Sequence, residues 1–122
     1  MYFPVSGWAA AFLLTILVET PIAFFLLRRQ AADPVRLITI ILFANLATHP
    51  VVWYVISQVL LPGTPGYTVV AELWATAAET IIYWAAIRGV SVSRAIGTAV
   101  AANAASYLVG WFVADHWPEL FR

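Results

Sequence analysis

From Trp8 to Leu27 the chain carries one ionisable side chain, Glu19, over about the 20 residues that an α-helix needs to cross the hydrocarbon core of a bilayer. Runs of the same kind follow at about Val35–Leu61, Tyr67–Ile87 and Ser91–Ala114. Inside hydrocarbon every backbone N–H and C=O must find its partner within the segment or in a closed barrel, so long apolar runs of this length fold as helices. The expected fold is therefore all-α: a bundle of four transmembrane helices forming one membrane domain over residues 1–122. Composition agrees, since 10% of residues are charged and 63% are hydrophobic, whereas a soluble domain has roughly 25% charged residues.

That inventory excludes several kinds of function. There is no Cys, which rules out disulfides, thiolate chemistry and Cys-ligated metal clusters. The formal net charge is zero and like charges do not run together, so no basic stripe is present for nucleic acid and no polybasic segment for anionic lipid. The partner expected from composition alone is the lipid bilayer. No Lys or Arg precedes the first apolar run, so it reads as a span rather than a cleavable signal.

The connections have composition of their own. Met1–Gly7 is a short aromatic lead-in, Arg28-Arg29-Gln30-Ala31-Ala32-Asp33-Pro34 a first loop, Pro62-Gly63-Thr64-Pro65-Gly66 a tight turn, Arg88-Gly89-Val90 a shorter one, and Asp115–Arg122 an amphipathic tail. Pro21 sits inside the first run, which a membrane helix tolerates when a neighbour or a hydroxyl such as Thr20 satisfies the backbone carbonyl it frees. Arg28, Arg29, Arg36, Arg88 and Arg94 border the first and third loops, against Arg122 alone on the other side. The positive-inside rule then puts those loops in the cytoplasm of an inner-membrane protein, N-out and C-out. Trp8, Trp53, Trp74, Trp111 and Trp117 cluster toward the outer interface, as aromatic belts do.

The chain also echoes itself. Ala44-Asn45-Leu46-Ala47-Thr48-His49-Pro50-Val51-Val52-Trp53-Tyr54-Val55 returns as Ala102-Asn103-Ala104-Ala105-Ser106-Tyr107-Leu108-Val109-Gly110-Trp111-Phe112-Val113, and Glu19-Thr20 with Arg28 returns as Glu79-Thr80 with Arg88. This predicts two helical hairpins, 1–61 and 62–122, as parallel repeats about an axis along the membrane normal. The small residues Gly97, Ala101, Ala104, Ala105 and Gly110 of the last run favour close helix contact.

The repeat aligns polar groups in depth. Glu19, Asn45, Glu79 and Asn103 each stand nine positions from the arginine that marks the inner end of their run, about 13 Å into a core about 30 Å thick. Twelve or thirteen positions from the same markers come Thr15, Thr48 with His49, Thr76, and Ser106 with Tyr107. Glu72 precedes Glu79 by seven residues, which sets it on the same face about 10 Å nearer the outside. A charge at the bilayer centre costs about 2.5–3.5 kcal/mol, so these carboxyls are expected to face the bundle interior.

Two readings of that layer stand side by side. As interhelical glue, neutral Glu side chains and the two Asn amides would close a ring with every donor matched to an acceptor. As a binding site, the informative positions are those where the repeats differ: His49 against Tyr107, Pro50 against Leu108, Pro21 against Ile81, and Glu72 against Phe12. Each difference adds a titratable group or a helix defect on one side. The candidate ligand- or ion-binding set is Glu19, Asn45, Thr48, His49, Glu72, Glu79, Asn103 and Ser106. Zinc would have to take His49, Glu79 and Glu19, without any diagnostic ligand spacing. Glu-x-x-His pairs and a Gly-x-Ser-x-Gly elbow are both absent from the sequence, which leaves carboxylate-bridged metal chemistry and serine hydrolysis without their signatures.

The Glu19-Thr20-Pro21 step, Asn45 through Pro50, the Glu72 and Glu79 pair, and Ala102-Asn103 with Ser106 and Gly110 together resemble a group of small prokaryotic four-helix integral membrane proteins of uncharacterised function. The resemblance implies a fold and no activity or cofactor. Size and a first-helix glutamate are shared with small multidrug transporters, but the arginine asymmetry argues against dual topology. The expected function is a non-enzymatic module binding a proton, cation or small polar ligand in transport or permeation, as a homo-oligomer. The alternatives are an accessory subunit of a larger membrane complex and an intramembrane metal site.

Overall fold

A computed structural model describes residues 5–122, which are helical throughout apart from their connections. The helices are α1 (Val5–Leu27), α2 (Pro34–Tyr54), α3 (Pro65–Ala86) and α4 (Val92–His116), with single 3₁₀ turns at Ile56–Gln58 and Pro118–Phe121. Most of the expected aromatic lead-in, Met1 to Pro4, lies outside the described residues. Among those residues, three helical stretches are long and apolar enough to cross a membrane: Ser6–Leu27, Pro34–Gln58 and Val92–His116. The third helix, α3, carries Glu72 and Glu79 and is not among those three.

Local chemistry sets the helix starts. Asp33 accepts from the Val35 amide at 2.9 Å ahead of Pro34, and Thr64 accepts from the Tyr67 amide at 3.4 Å ahead of Pro65. Ser91 accepts from the Arg94 amide at 3.1 Å. Each is an N-cap, and in the first two proline at the first helical position gives up a donor that the helix could not have used. Gly63 and Gly89 have φ of 86° and 83°, the left-handed turn conformation that a side chain disfavours.

The sequence expectation for α2 needs correction, because the helix ends at Tyr54 rather than near Leu61. Hydroxyl groups take two of its terminal carbonyls: Ser57 Oγ donates to Trp53 O at 2.5 Å and the Tyr67 hydroxyl to Val52 O at 3.2 Å. Those bonds satisfy helix-end acceptors that continued helix would otherwise have used. α4 runs on past Ala114 to His116, whose ring stacks on Phe112 with centroids 4.2 Å apart. Of the two ways to answer Pro21, the Thr20 hydroxyl is not used, since its buried Oγ1 has no partner.

The helices close into a ring, α1 against α2 and α4, α3 against α2 and α4, and among the described residues the backbones of the diagonal pairs do not come close. Packing is uneven along the ring. At the end holding the arginine loops, Ala23, Leu27, Leu37, Ile41, Tyr83, Ile87, Ala95 and Ala99 form one buried apolar cluster. Arg94 Nη1 donates to Leu26 O at 2.8 Å there, tying the start of α4 to an unpaired carbonyl at the end of α1. At the opposite end the tail turns back, so that Phe121 lies against Gly7 and Ser6 Oγ donates to Arg122 O at 3.3 Å. Outside, Leu13, Leu17, Phe25, Leu73, Ile81, Leu108 and Trp111 are all exposed, an apolar exterior far beyond the patches of a soluble monomer.

Candidate functional site

The four residues counted to a common depth, one per helix, meet at the centre of the ring. Glu19, Asn45 and Glu79 are each 1% exposed and Asn103 is 6% exposed. Each amide nitrogen first turns to its own helix: Asn45 Nδ2 donates to Ile41 O at 3.1 Å and Asn103 Nδ2 to Ala99 O at 2.8 Å. Asn103 Nδ2 also donates to Glu79 Oε2 at 2.7 Å. The hydroxyls one turn outward cross between helices, Thr48 Oγ1 to Glu79 Oε1 at 3.2 Å and Ser106 Oγ to Glu19 Oε1 at 2.5 Å. These two bonds pair α2 with α3 and α4 with α1, the corresponding contacts of the two hairpins.

The ring does not close in the way a purely structural layer would require. Glu19 Oε2 and Asn45 Oδ1 are buried with no hydrogen-bond partner, although the Asn45 side chain lies close enough to act on the Glu19 carboxyl. Most buried polar atoms in proteins are paired. Both orphans are acceptors, apart from whatever proton the carboxyl itself carries.

Above this floor opens a cavity of about 610 Å³. All eight candidate residues, Glu19, Asn45, Thr48, His49, Glu72, Glu79, Asn103 and Ser106, line it. It extends past Thr15 and Tyr107 to Ser57, Gln58 and Tyr67, toward the connection between α2 and α3, and its other end is stopped by the apolar cluster around Tyr83. No Lys or Arg is among the lining side chains. Glu72 stands half-buried on the wall and acts electrostatically on both Glu19 and Glu79.

His49 lines the cavity but stands apart from the carboxyls it would have to join in the zinc set. Its nearest polar neighbour is Thr15 Oγ1, 3.4 Å from Nε2, and its Nδ1 is buried without a partner. Phe12, Trp53 and Trp8 surround the ring at centroid distances of 5.4, 6.2 and 6.4 Å. The imidazole is thus held in an aromatic cage rather than among carboxylates. The zinc set His49, Glu79 and Glu19 is accordingly not assembled: among the described residues no three His, Asp or Glu side chains are grouped to hold a metal ion.

Several lining residues lie outside the candidate set. Tyr67, Ser57 and Trp53 belong to the mouth, and Trp74 Nε1 donates to Thr48 O at 3.3 Å, bracing the turn that aims the Thr48 hydroxyl. The Ser57 and Trp53 relation was visible as a hydroxyl four residues after an aromatic at a helix end; Tyr67 and Trp74 depend on how α3 lies on α2. No family model, curated protein or solved structure matches the chain.

Proposed function

We propose that this chain is a four-span inner-membrane protein of two parallel hairpin repeats. In this reading the arginine loops are cytoplasmic, both termini are outside, and the central cavity binds a proton, cation or small polar ligand during transport or permeation. The observation that carries the reading is the floor of the cavity, which the buried carboxyls of Glu19 and Glu79 both line and where two acceptors, Glu19 Oε2 and Asn45 Oδ1, have no partner. A scaffold layer would be expected to satisfy them. The matched Thr48–Glu79 and Ser106–Glu19 bonds support the repeat, and the apolar exterior of α3 beyond its glutamate face supports a fourth span.

Function in this reading belongs to a homo-oligomer joined through α4. Gly97 and Gly110 support it, since a methyl added at either would meet nothing within 4 Å beyond the backbone of its own helix turns. The same free face favours the second reading, an accessory subunit docked on a larger membrane complex. Purification from native membranes separates them: a self-contained oligomer fits the binder, a stoichiometric larger partner the subunit. Binding itself is tested by thermal unfolding in detergent across pH 5 to 8 and with added cations. A flat response rejects the binding site. Single cysteines at Gln30 and Thr64, introduced into a chain that has none, test topology; labelling of Gln30 only from outside overturns it.

A further inference from the structure

Resting on that binding-site reading, we infer that the cavity is built for a linear diammonium ion, one nitrogen on the Glu19–Asn45–Glu79 floor and the other at Glu72. The floor presents unpartnered acceptors to the cavity, and the unpartnered donor near it, the Tyr83 hydroxyl, lies outside the lining. Glu19 Oε2 and Asn45 Oδ1 are unpartnered and nine-tenths buried or more, while the donors nearby, Asn103 Nδ2, Thr48 Oγ1 and Ser106 Oγ, are already engaged. A primary ammonium offers three N–H donors and no acceptor, so it completes these atoms without adding a lone pair that would face a carboxyl oxygen. An amide or a sugar hydroxyl brings acceptors of its own. A metal ion lacks its ligand set, as no three acidic or His side chains converge among the described residues.

Glu72 argues for a second positive centre. It makes no hydrogen bond and no ion pair among the described residues, where the one ion pair joins His116 and Asp115, and no Lys or Arg lines the cavity to answer it. A single ammonium on the floor leaves it unmatched. Glu72 and Glu79 share a face of α3 two turns apart, about 10 Å by helical rise, and a charge-assisted hydrogen bond of about 2.8 Å at each end leaves roughly 5 Å between nitrogens, the span of about three methylenes. The wall between them suits methylenes: Ala71 and Ala75 are small, buried and line the cavity, with Trp53 and Val52 beside them.

The experiment measures binding of propylamine and of the three-carbon α,ω-diamine to the protein in lipid nanodiscs by calorimetry, for wild type, Glu72→Gln and Glu79→Gln. The diamine is expected to bind about tenfold or more tightly than propylamine, in keeping with one added charge-assisted contact. Glu72→Gln should bring that ratio near one, and Glu79→Gln should weaken both ligands. Equal wild-type affinities for the two amines overturn the diammonium inference and leave a monocation site standing. Absence of amine binding, with the pH- or cation-dependent stability response retained, also overturns the inference alone; loss of that response as well overturns the binding-site reading beneath it. Glu72 is half-buried and outside the hydrogen-bonded floor, so its variant remains informative even where Glu79→Gln fails to fold.

Discussion

Replacing Glu79 by Gln and, separately, by Leu separates shape, hydrogen bonding and charge at the centre of the ring. Glu79 accepts from Asn103 at 2.7 Å and from Thr48 at 3.2 Å. In Glu79→Gln the amide oxygen keeps the Asn103 bond while its NH₂ faces Thr48, whose hydroxyl proton has another acceptor in Ala44 O at 3.1 Å and so can leave a lone pair for the new donor. The number of bonds is conserved, and the expected cost is within about 1 kcal/mol. Glu79→Leu is nearly the same size but offers neither acceptor, so a buried amide and hydroxyl retain only their intrahelical carbonyls; the cost is about 1–3 kcal/mol. Thermal unfolding in detergent reads the difference, at about 4 °C per kcal/mol for a chain of this size. A ligand present at a hundred times its Kd adds about 2.7 kcal/mol, roughly 10 °C, to wild type and much less to the Gln variant. Equal destabilisation by Gln and Leu refutes the bond-conservation reasoning, and an equal ligand shift in wild type and Glu79→Gln refutes the role of the carboxyl in binding.

Tyr67→Phe removes the hydroxyl that caps Val52 O and should lower stability by about 0.5–1.5 kcal/mol, read as a fall of a few degrees in the unfolding midpoint. Ala99→Leu places a larger side chain in a fully buried position of the apolar cluster and should cost about 1–3 kcal/mol or more, measured in the same assay. Gly7→Ala sets a Cβ 2.5 Å from Phe121 O, so either α1 or the tail must move; carboxypeptidase should then remove residues 118–122 faster than from wild type, and an unchanged rate contradicts the close packing.

The site was more legible than the helix ends. Counting from Arg28, Arg36, Arg88 and Arg94 located Glu19, Asn45, Glu79 and Asn103 because helical rise is constant and the arginines mark one plane, and these four side chains do meet. Ending α2 correctly was harder, because Val55-Ile56 and Val59-Leu60-Leu61 continue the apolar run while the stop is made by hydroxyls on Ser57 and on Tyr67, the latter in another helix. His49 was placed among carboxylates on depth alone. Its azimuth turns it to Phe12 and Trp8, and that choice is made by the packing of α1 on α2. The incomplete floor was not legible at all, since an Asn side chain choosing its own helix carbonyl over a neighbour leaves no trace in composition or spacing.

The apolar cluster at the arginine end has a bearing on speed. Tyr83, Leu27, Leu37 and Ile41 are at most 1% exposed, so the cavity ends blind and no continuous column of water runs from its mouth to the other side. Under the membrane reading, a bilayer carrying this chain in this conformation holds its voltage. Any cargo that crosses would have to be carried by rearrangement of the helices rather than by diffusion past them, a motion of about microseconds to milliseconds. If this chain does move a cargo, throughput per copy is then capped at the pace of a carrier, well below that of a pore, and the amount of protein in the membrane becomes the lever that sets flux.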